Sequence, residues 1–203
     1  MNTRPTGTSR THLACLLLLS SLPIAVIHAQ FPESAPPPAF PQNNHRDEEK
    51  NLLENGNFEH GLEHWELIAF SKKGKMSIDP IERYNGKPTL RIENNEADHS
   101  FVRQILKGKP NTRYRLSGYI KTSRVEPEQK GDNGAVLMLG MSLDRTHSQQ
   151  KTTPWTKVSF DFVPKNPNEM RVGPSLGVYA RPVTGTAWFS DLTLTELGPV
   201  EKH

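Results

Sequence analysis

No stretch of 11 or more residues after position 50 places apolar side chains at the 3.6-residue period of a helix. Short alternating segments recur instead. In residues 114–121, Tyr114, Leu116, Gly118 and Ile120 interleave with Arg115, Ser117, Tyr119 and Lys121. A period of two buries one face of a strand and leaves the other in water. Further strands are predicted over 76–81, 89–93, 101–106, 135–143, 155–163, 171–181 and 186–197. In 135–143 the alternation predicts that Leu137, Leu139, Met141 and Leu143 share a face. In 155–163, after Pro154, it groups Thr156, Val158, Phe160 and Phe162. Turn chemistry lies between these runs. Asn85-Gly86 predicts a hairpin, because both residues tolerate positive φ. Gly108 to Asn111 and Pro164 to Pro167 read as turns, and residues 123–134 as a charged, solvated loop. The chain's 17 prolines point the same way, since an interior proline costs a helix about 3 kcal/mol. The pattern implies an all-β sandwich or jelly roll.

The N-terminus has a different character. Residues 1–12 carry Arg4 and Arg10 and no acid, and an apolar run follows from Leu13 to Ile27. With the small residue Ala29 behind it, residues 1–29 read as a signal peptide. The run is broken by Ser20, Ser21 and Pro23, and falls short of the roughly 20 apolar residues of a membrane span. Secretion or export to a periplasm is therefore expected, with no membrane insertion after cleavage. Cys15 is the only cysteine and lies inside this segment, so the mature chain has no thiol for disulfide, nucleophile or zinc chemistry. Loss of Arg4 and Arg10 leaves 23 basic residues against 22 acidic ones. A charge so near balance asks for neither nucleic acid nor an anionic membrane. Residues 30–50, proline-rich and then charged, read as a semi-extended linker. The folded domain is expected over 51–198, followed by a short tail over 199–203.

The opening Asn51-Leu52-Leu53-Glu54-Asn55-Gly56-Asn57-Phe58-Glu59, followed by Gly61 and Trp65, resembles the start of carbohydrate-binding modules of families four, nine and twenty-two. Val102-Arg103-Gln104 and residues 114–121 resemble their central strands. Residues 155–162 resemble the next strand, and Trp188-Phe189-Ser190-Asp191-Leu192-Thr193-Leu194 the closing one. The resemblance implies a galactose-binding-like jelly roll of two antiparallel sheets, binding a polysaccharide or glycan without catalysis. It also implies a structural calcium, with Glu59 and Asp191 as carboxylate ligands. Ser190 departs from the pattern, since a second aspartate is common there. Calcium takes about 6–8 oxygens, several of them charged, so the loss weakens the site.

A sugar site needs aromatic faces flanked by polar groups. Alternation over 176–181 puts Tyr179 and Arg181 on the same type of face as Tyr119. Tyr119, Tyr179, Arg181 and Ser117 are thus expected to line one groove, with Arg103 and Arg115 as further candidates. Trp65, Tyr84 and Trp155 are second choices, Trp65 being read first as a core or lid residue. Enzyme signatures are missing. The chain has no Gly-x-Ser-x-Gly elbow and no P-loop. No carboxylate pair sits in a motif fixing the separation of about 5–10 Å that glycosidases use. His60 and His64 are four residues apart, but Gly61 denies them one helix face. The alternative to glycan binding is a structural or interaction domain of the same fold, docking on an envelope or extracellular protein.

Overall fold

The computed structural model describes residues 50–179 and 181–201. The predicted signal peptide and all of the predicted linker except Lys50 lie outside the described residues. Among the described residues, nine strands form two antiparallel sheets. In chain order they are β1 (Glu66–Ala69), β2 (Lys75–Tyr84), β3 (Lys87–Asp98), β4 (Ser100–Leu106), β5 (Thr112–Pro127), β6 (Ala135–Leu139), β7 (Lys151–Phe162), β8 (Met170–Leu176) and β9 (Val183–Pro199). One sheet has the order β1-β4-β8-β6 and the other β2-β3-β9-β5-β7. The all-β jelly-roll expectation therefore holds. The core lies between the sheets and is filled by Leu90, Ile92, Leu116, Ile120, Phe189 and Leu194 from the larger sheet. Val102, Leu137, Val172 and Leu176 fill it from the smaller one.

The predicted hairpin forms at Asn85-Gly86. Both residues have positive φ, 48° and 78°, and Tyr84 pairs with Lys87 across the turn. Residues 114–121 alternate as read, with Tyr114, Leu116, Gly118 and Ile120 buried.

Four predicted boundaries are corrected. The 135–143 strand stops at Leu139, and Met141 and Leu143 are exposed. The strand is buried on both faces, because a second cluster of Phe101, Val136, Met138 and Val178 packs on its outer side. The 123–134 segment is not all loop, since β5 runs on to Pro127 and buries Val125. The 171–181 strand ends at Leu176, where Gly177 turns the chain at φ 88°. β7 also begins ahead of Pro154. It is an edge strand, the place in a sheet where a proline's missing N–H is tolerated.

The N-terminal motif straps onto β9. The Asn51 side chain donates to Leu192 O at 3.0 Å and accepts from Leu194 N at 2.9 Å and Leu53 N at 3.1 Å. Leu52 N bonds Leu194 O at 2.8 Å, and Leu192 N bonds Gly56 O at 2.9 Å. Leu53, Phe58 and Trp65 are buried beneath this strap. The turn comes from Asn55, at φ 49°. Gly56 meets a different need: a Cβ there would lie 2.1 Å from Leu192 O.

A buried polar hub ties the other end of the sandwich. Asn94 Nδ2 donates to the carbonyls of Asp98, Leu176 and Val183 at 3.0–3.3 Å, and its Oδ1 accepts from Ser100 Oγ at 2.7 Å. Asp98 accepts backbone N–H bonds from Ser71, Lys73, Gly74 and His99 at 2.7–3.0 Å. Burial works against its charge, but these four donors hold its carboxyl below the usual range. The adjacent His99 is 4% exposed. Burial lowers its pKa to about 4, against the opposing pull of Asp98.

Two outcomes follow from these contacts. Gly56→Ala should lower stability by about 2 kcal/mol, as overpacking typically does, because the carbonyl it meets is fixed in the strap. An unchanged urea midpoint would refute this. For His99, the unfolded ring takes its proton near pH 6.5 and the folded ring only near 4. Between these values the unfolded state binds more protons, so stability falls as pH is lowered through the window. Urea midpoints measured from pH 7 to 4.5 should show this fall in the wild type and lose most of it in His99→Gln.

Candidate functional site

On the outer face of the five-stranded sheet, β5 presents Ser117, Tyr119 and Lys121. The register sets Tyr119 opposite Lys157 on β7 and Ser117 opposite Thr193 on β9. The Ser117 and Thr193 hydroxyls bond at 2.7 Å. Asp191 interrupts β9 with φ 47°, where the pairing with β5 shifts register between Ser117 and Tyr119. A groove of about 540 Å³ opens there. The strap residues Asn51, Asn55 and Asn57 form one side of it; Tyr119, Lys157 and Asp191 are among the residues that complete it. Lys87, at the start of β3, reaches in and pairs with Asp191 Oδ1 at 3.0 Å.

An aromatic cluster adjoins the groove. Tyr84 stacks on Tyr119 with centroids 4.2 Å apart and meets Trp155 at 5.1 Å. Tyr84 lies on β2 and Trp155 on β7, the two edges of this sheet, with three strands between them. The end of β2 is therefore folded across the outer face. A register shift between Ile78 and Arg83 allows the bend, and Asp79 Oδ1 caps it by accepting the N–H groups of Ile81 and Glu82 at 2.9 and 2.8 Å. Glu82 then clamps the fold-over, accepting from Lys121 Nζ at 2.7 Å and Trp155 Nε1 at 3.1 Å. Asp79 Oδ2 accepts from Trp188 Nε1 at 2.7 Å, and Lys121 lies 5.6 Å over the Trp188 ring. The Tyr84 hydroxyl is pushed up to about 12, chiefly by its hydrogen bond with Tyr119 and then by burial. It stays neutral at any physiological pH.

The expected grouping of Tyr119, Ser117, Tyr179 and Arg181 is corrected. Tyr119 and Ser117 share the groove. Tyr179 and Arg103 wall a cavity on the outer face of the other sheet. Arg181 is exposed and lines neither. The cause is topological: β8 belongs to the four-stranded sheet, and the turn at Gly177 ends the alternation that placed Tyr179 beside Tyr119. Arg115 lies on the same outer face as Tyr119, held bidentately by Asp161 at 2.6 and 2.9 Å. Trp65 is core, with its Nε1 donating to Asn55 O at 3.1 Å. Tyr84 and Trp155 join Tyr119 directly. The sequence reading missed Lys87, Lys157, Trp188 and the asparagines. Two signals were available: Trp188 alternates with the buried Phe189, and Lys157 faces Tyr119 once β5 and β7 are paired.

A family model described as a carbohydrate binding domain matches residues 50–173. This chain belongs to that carbohydrate-binding domain family. Among solved structures, TmCBM61 in complex with beta-1,4-galactotriose is similar, with a TM-score of 0.51 and 14% identity, covering 72% of this chain and 99% of that one. The arabinose-bound MgGH51 α-L-arabinofuranosidase has a TM-score of 0.54 and 17% identity, covering 73% of this chain and 26% of that one. These likenesses are of fold. The tRNA(Glu)-specific nuclease WapA of Bacillus subtilis subsp. natto is 27% identical over 157 residues, 71% of this chain. The chain spans only 7% of that protein's length.

For this carbohydrate-binding domain, the calcium that the family pattern implies does not fit the residues present. Asp191 already accepts the Lys87 ammonium. Glu59 is exposed, its own N–H turned back to Asn57. Among the described residues no three His, Cys, Asp or Glu side chains gather as a metal site. A divalent cation beside Asp191 would meet a fixed positive charge and one available carboxylate, against several for a typical site. Thermal unfolding should therefore be the same in excess calcium and in chelator. A chelator-induced fall of several degrees in Tm would contradict this.

Proposed function

We propose that the groove beside Tyr119 is the glycan site, and that the protein is a non-catalytic binder of a short stretch of polysaccharide or glycan. The observation that supports it most is the joining of an aromatic wall to a polar end. Tyr84, Tyr119 and Trp155 offer apolar ring surface for the C–H faces of a sugar. Asn51, Asn55, Asn57, Ser117, Asp191 and Lys157 offer donors and acceptors for its hydroxyls. A volume of about 540 Å³ falls within the roughly 300–1,000 Å³ of small-ligand sites. It suits a few sugar units held at one end of the sheet, and the folded-over end of β2 stands across the path of a longer chain.

The binding mechanism is one of preorganisation. Lys121 and Trp155 are held by Glu82, Trp188 by Asp79, and Lys87 by Asp191. Few side chains need ordering when ligand arrives, so less of the interaction is lost to conformational entropy. Asp191 and Lys157 accept and donate without acting on a bond, as expected of a binder. The N-terminal segment read as a signal peptide supports a secreted or periplasmic setting, where polysaccharide would be met.

Tyr119→Ala should weaken glycan binding about tenfold or more, the loss typical of a central aromatic anchor, with the unfolding midpoint nearly unchanged. Ser117→Ala should cost a few-fold, and Arg181→Ala nothing. Affinity electrophoresis against soluble polysaccharides, followed by calorimetry on the best ligand, measures all three. Binding that survives Tyr119→Ala would move the site elsewhere. No binding across a broad panel by well-folded protein would leave a protein partner on the envelope as the reading to pursue.

A further inference from the structure

The charges lining the groove do not balance. Among the described residues that line it, Lys87, Lys157 and Asp191 carry charge. Lys87 and Asp191 cancel each other across 3.0 Å. Lys157 is exposed, and among the described residues no carboxylate pairs with it. Its ammonium lies instead 5.9 Å from the centre of the Tyr119 ring. Neighbouring cations on this face are matched, Lys121 by Glu82 at 2.7 Å and Arg115 by Asp161 at 2.6 Å. The groove is left with one uncompensated positive charge, set against its aromatic wall.

The hold of Tyr119 on that charge is weak. An exposed cation over a ring gains little, because water competes for it. A hydrogen bond from an ammonium to a carboxylate belongs to a stronger class, and it strengthens further where a ligand excludes water. Lys157 is thus the charged group of the groove that can take a new partner without breaking an ion pair. Asp191 would first have to leave Lys87. A neutral sugar covers the Lys157 ammonium and gives it no counter-charge, which costs affinity. An anionic sugar supplies one. Specificity is the difference between two such affinities.

Position narrows the anion. A pyranose laid against an aromatic wall packs its C–H face there, and its substituents project from the rim. The carboxylate of a uronic acid sits on that rim, one bond from the ring, so it reaches sideways. Lys157 stands to the side of Tyr119, opposite it in the β5–β7 register. One carboxylate per sugar matches the one unpaired ammonium. We propose that the groove selects acidic glycans, with a uronate unit resting on the aromatic wall and its carboxylate taken by Lys157. The proposal rests on the reading of this groove as the glycan site and names the class of sugar it takes.

The test compares polygalacturonate, glucuronoxylan and alginate with their own carboxyl-reduced forms, which keep the linkages and lose the charge. Calorimetry on the full chain should show the best acidic polymer binding about fivefold more tightly than its reduced form at low salt, the effect of one ion pair. The ratio should shrink in about 0.5 M salt, where exposed charges are screened. Lys157→Gln should bring the two forms to parity. Lys165→Gln removes an exposed lysine beside a different pocket and should leave the ratio unmoved. Equal binding of acidic and reduced forms, both lost in Tyr119→Ala, would overturn this proposal and keep the glycan groove. No binding of any polymer by folded protein would overturn both. A ratio that falls as far in Lys165→Gln as in Lys157→Gln would trace the preference to overall charge. A preference confined to a sulfated polymer over its desulfated form would replace the carboxylate by a sulfate ester. Either of these last results would also overturn the proposal.

Discussion

The site depends on the strap between the N-terminal motif and the second half of β9. Two hydrogen bonds of one asparagine side chain, spanning 141 and 143 positions, together with backbone bonds at Leu52 and Gly56, join the two segments, while a third from Leu53 N fixes the asparagine itself. The strap seals Leu53, Phe58 and Trp65 into the core, and its asparagines then stand as one side of the groove. The same contact thus closes the hydrophobic core and builds the polar end of the binding surface. It works only because residue 56 has no side chain to collide with the Leu192 carbonyl.

The second constraint is the fold-over of β2. A sheet of five strands would ordinarily present a wide outer face. Here the two edge strands touch through Tyr84 and Trp155, and Glu82 bonds to both β5 and β7. The carboxylate replaces the water it loses with two charge-assisted or indole donors, the condition under which a half-buried charge is tolerated. The cost is area: much of the sheet's outer face is occupied by the protein itself. What remains open is the end where Asp191 disrupts β9, and that is where the groove lies.

Local patterns in the sequence carried much of this. Alternation over 114–121 and the Asn85-Gly86 turn are fixed within a few residues, and both are found as read. The N-terminal motif was legible as a unit, although Gly56 is required for close approach rather than for its φ. What could not be read was which sheet each strand joins. Tyr119 and Tyr179 both sit in alternating segments, and alternation says only that a face is outward, not which outward face. Sheet membership is decided by pairings between segments distant in sequence, such as Ser100 with Leu176 and Tyr119 with Ser190, and by Gly177 ending a strand that the pattern would continue. The fold-over was invisible for a similar reason. Glu82, Lys121 and Trp155 are unremarkable surface types in sequence, and become a clamp only when β2 bends at Asp79.

The position of β9 carries a consequence for how the chain is made. It is the final strand of the described residues, yet it lies at the centre of the five-stranded sheet, between β3 and β5. It also supplies Phe189, Leu192 and Leu194 to the core. Until it leaves the ribosome, β3 and β5 have no common neighbour and the N-terminal strap has nothing to grip. Folding of a chain dominated by such distant pairings is slow and waits for its last element. A nascent chain of this design therefore carries β3 and β5 with open, unpaired edges until β9 has emerged to join them.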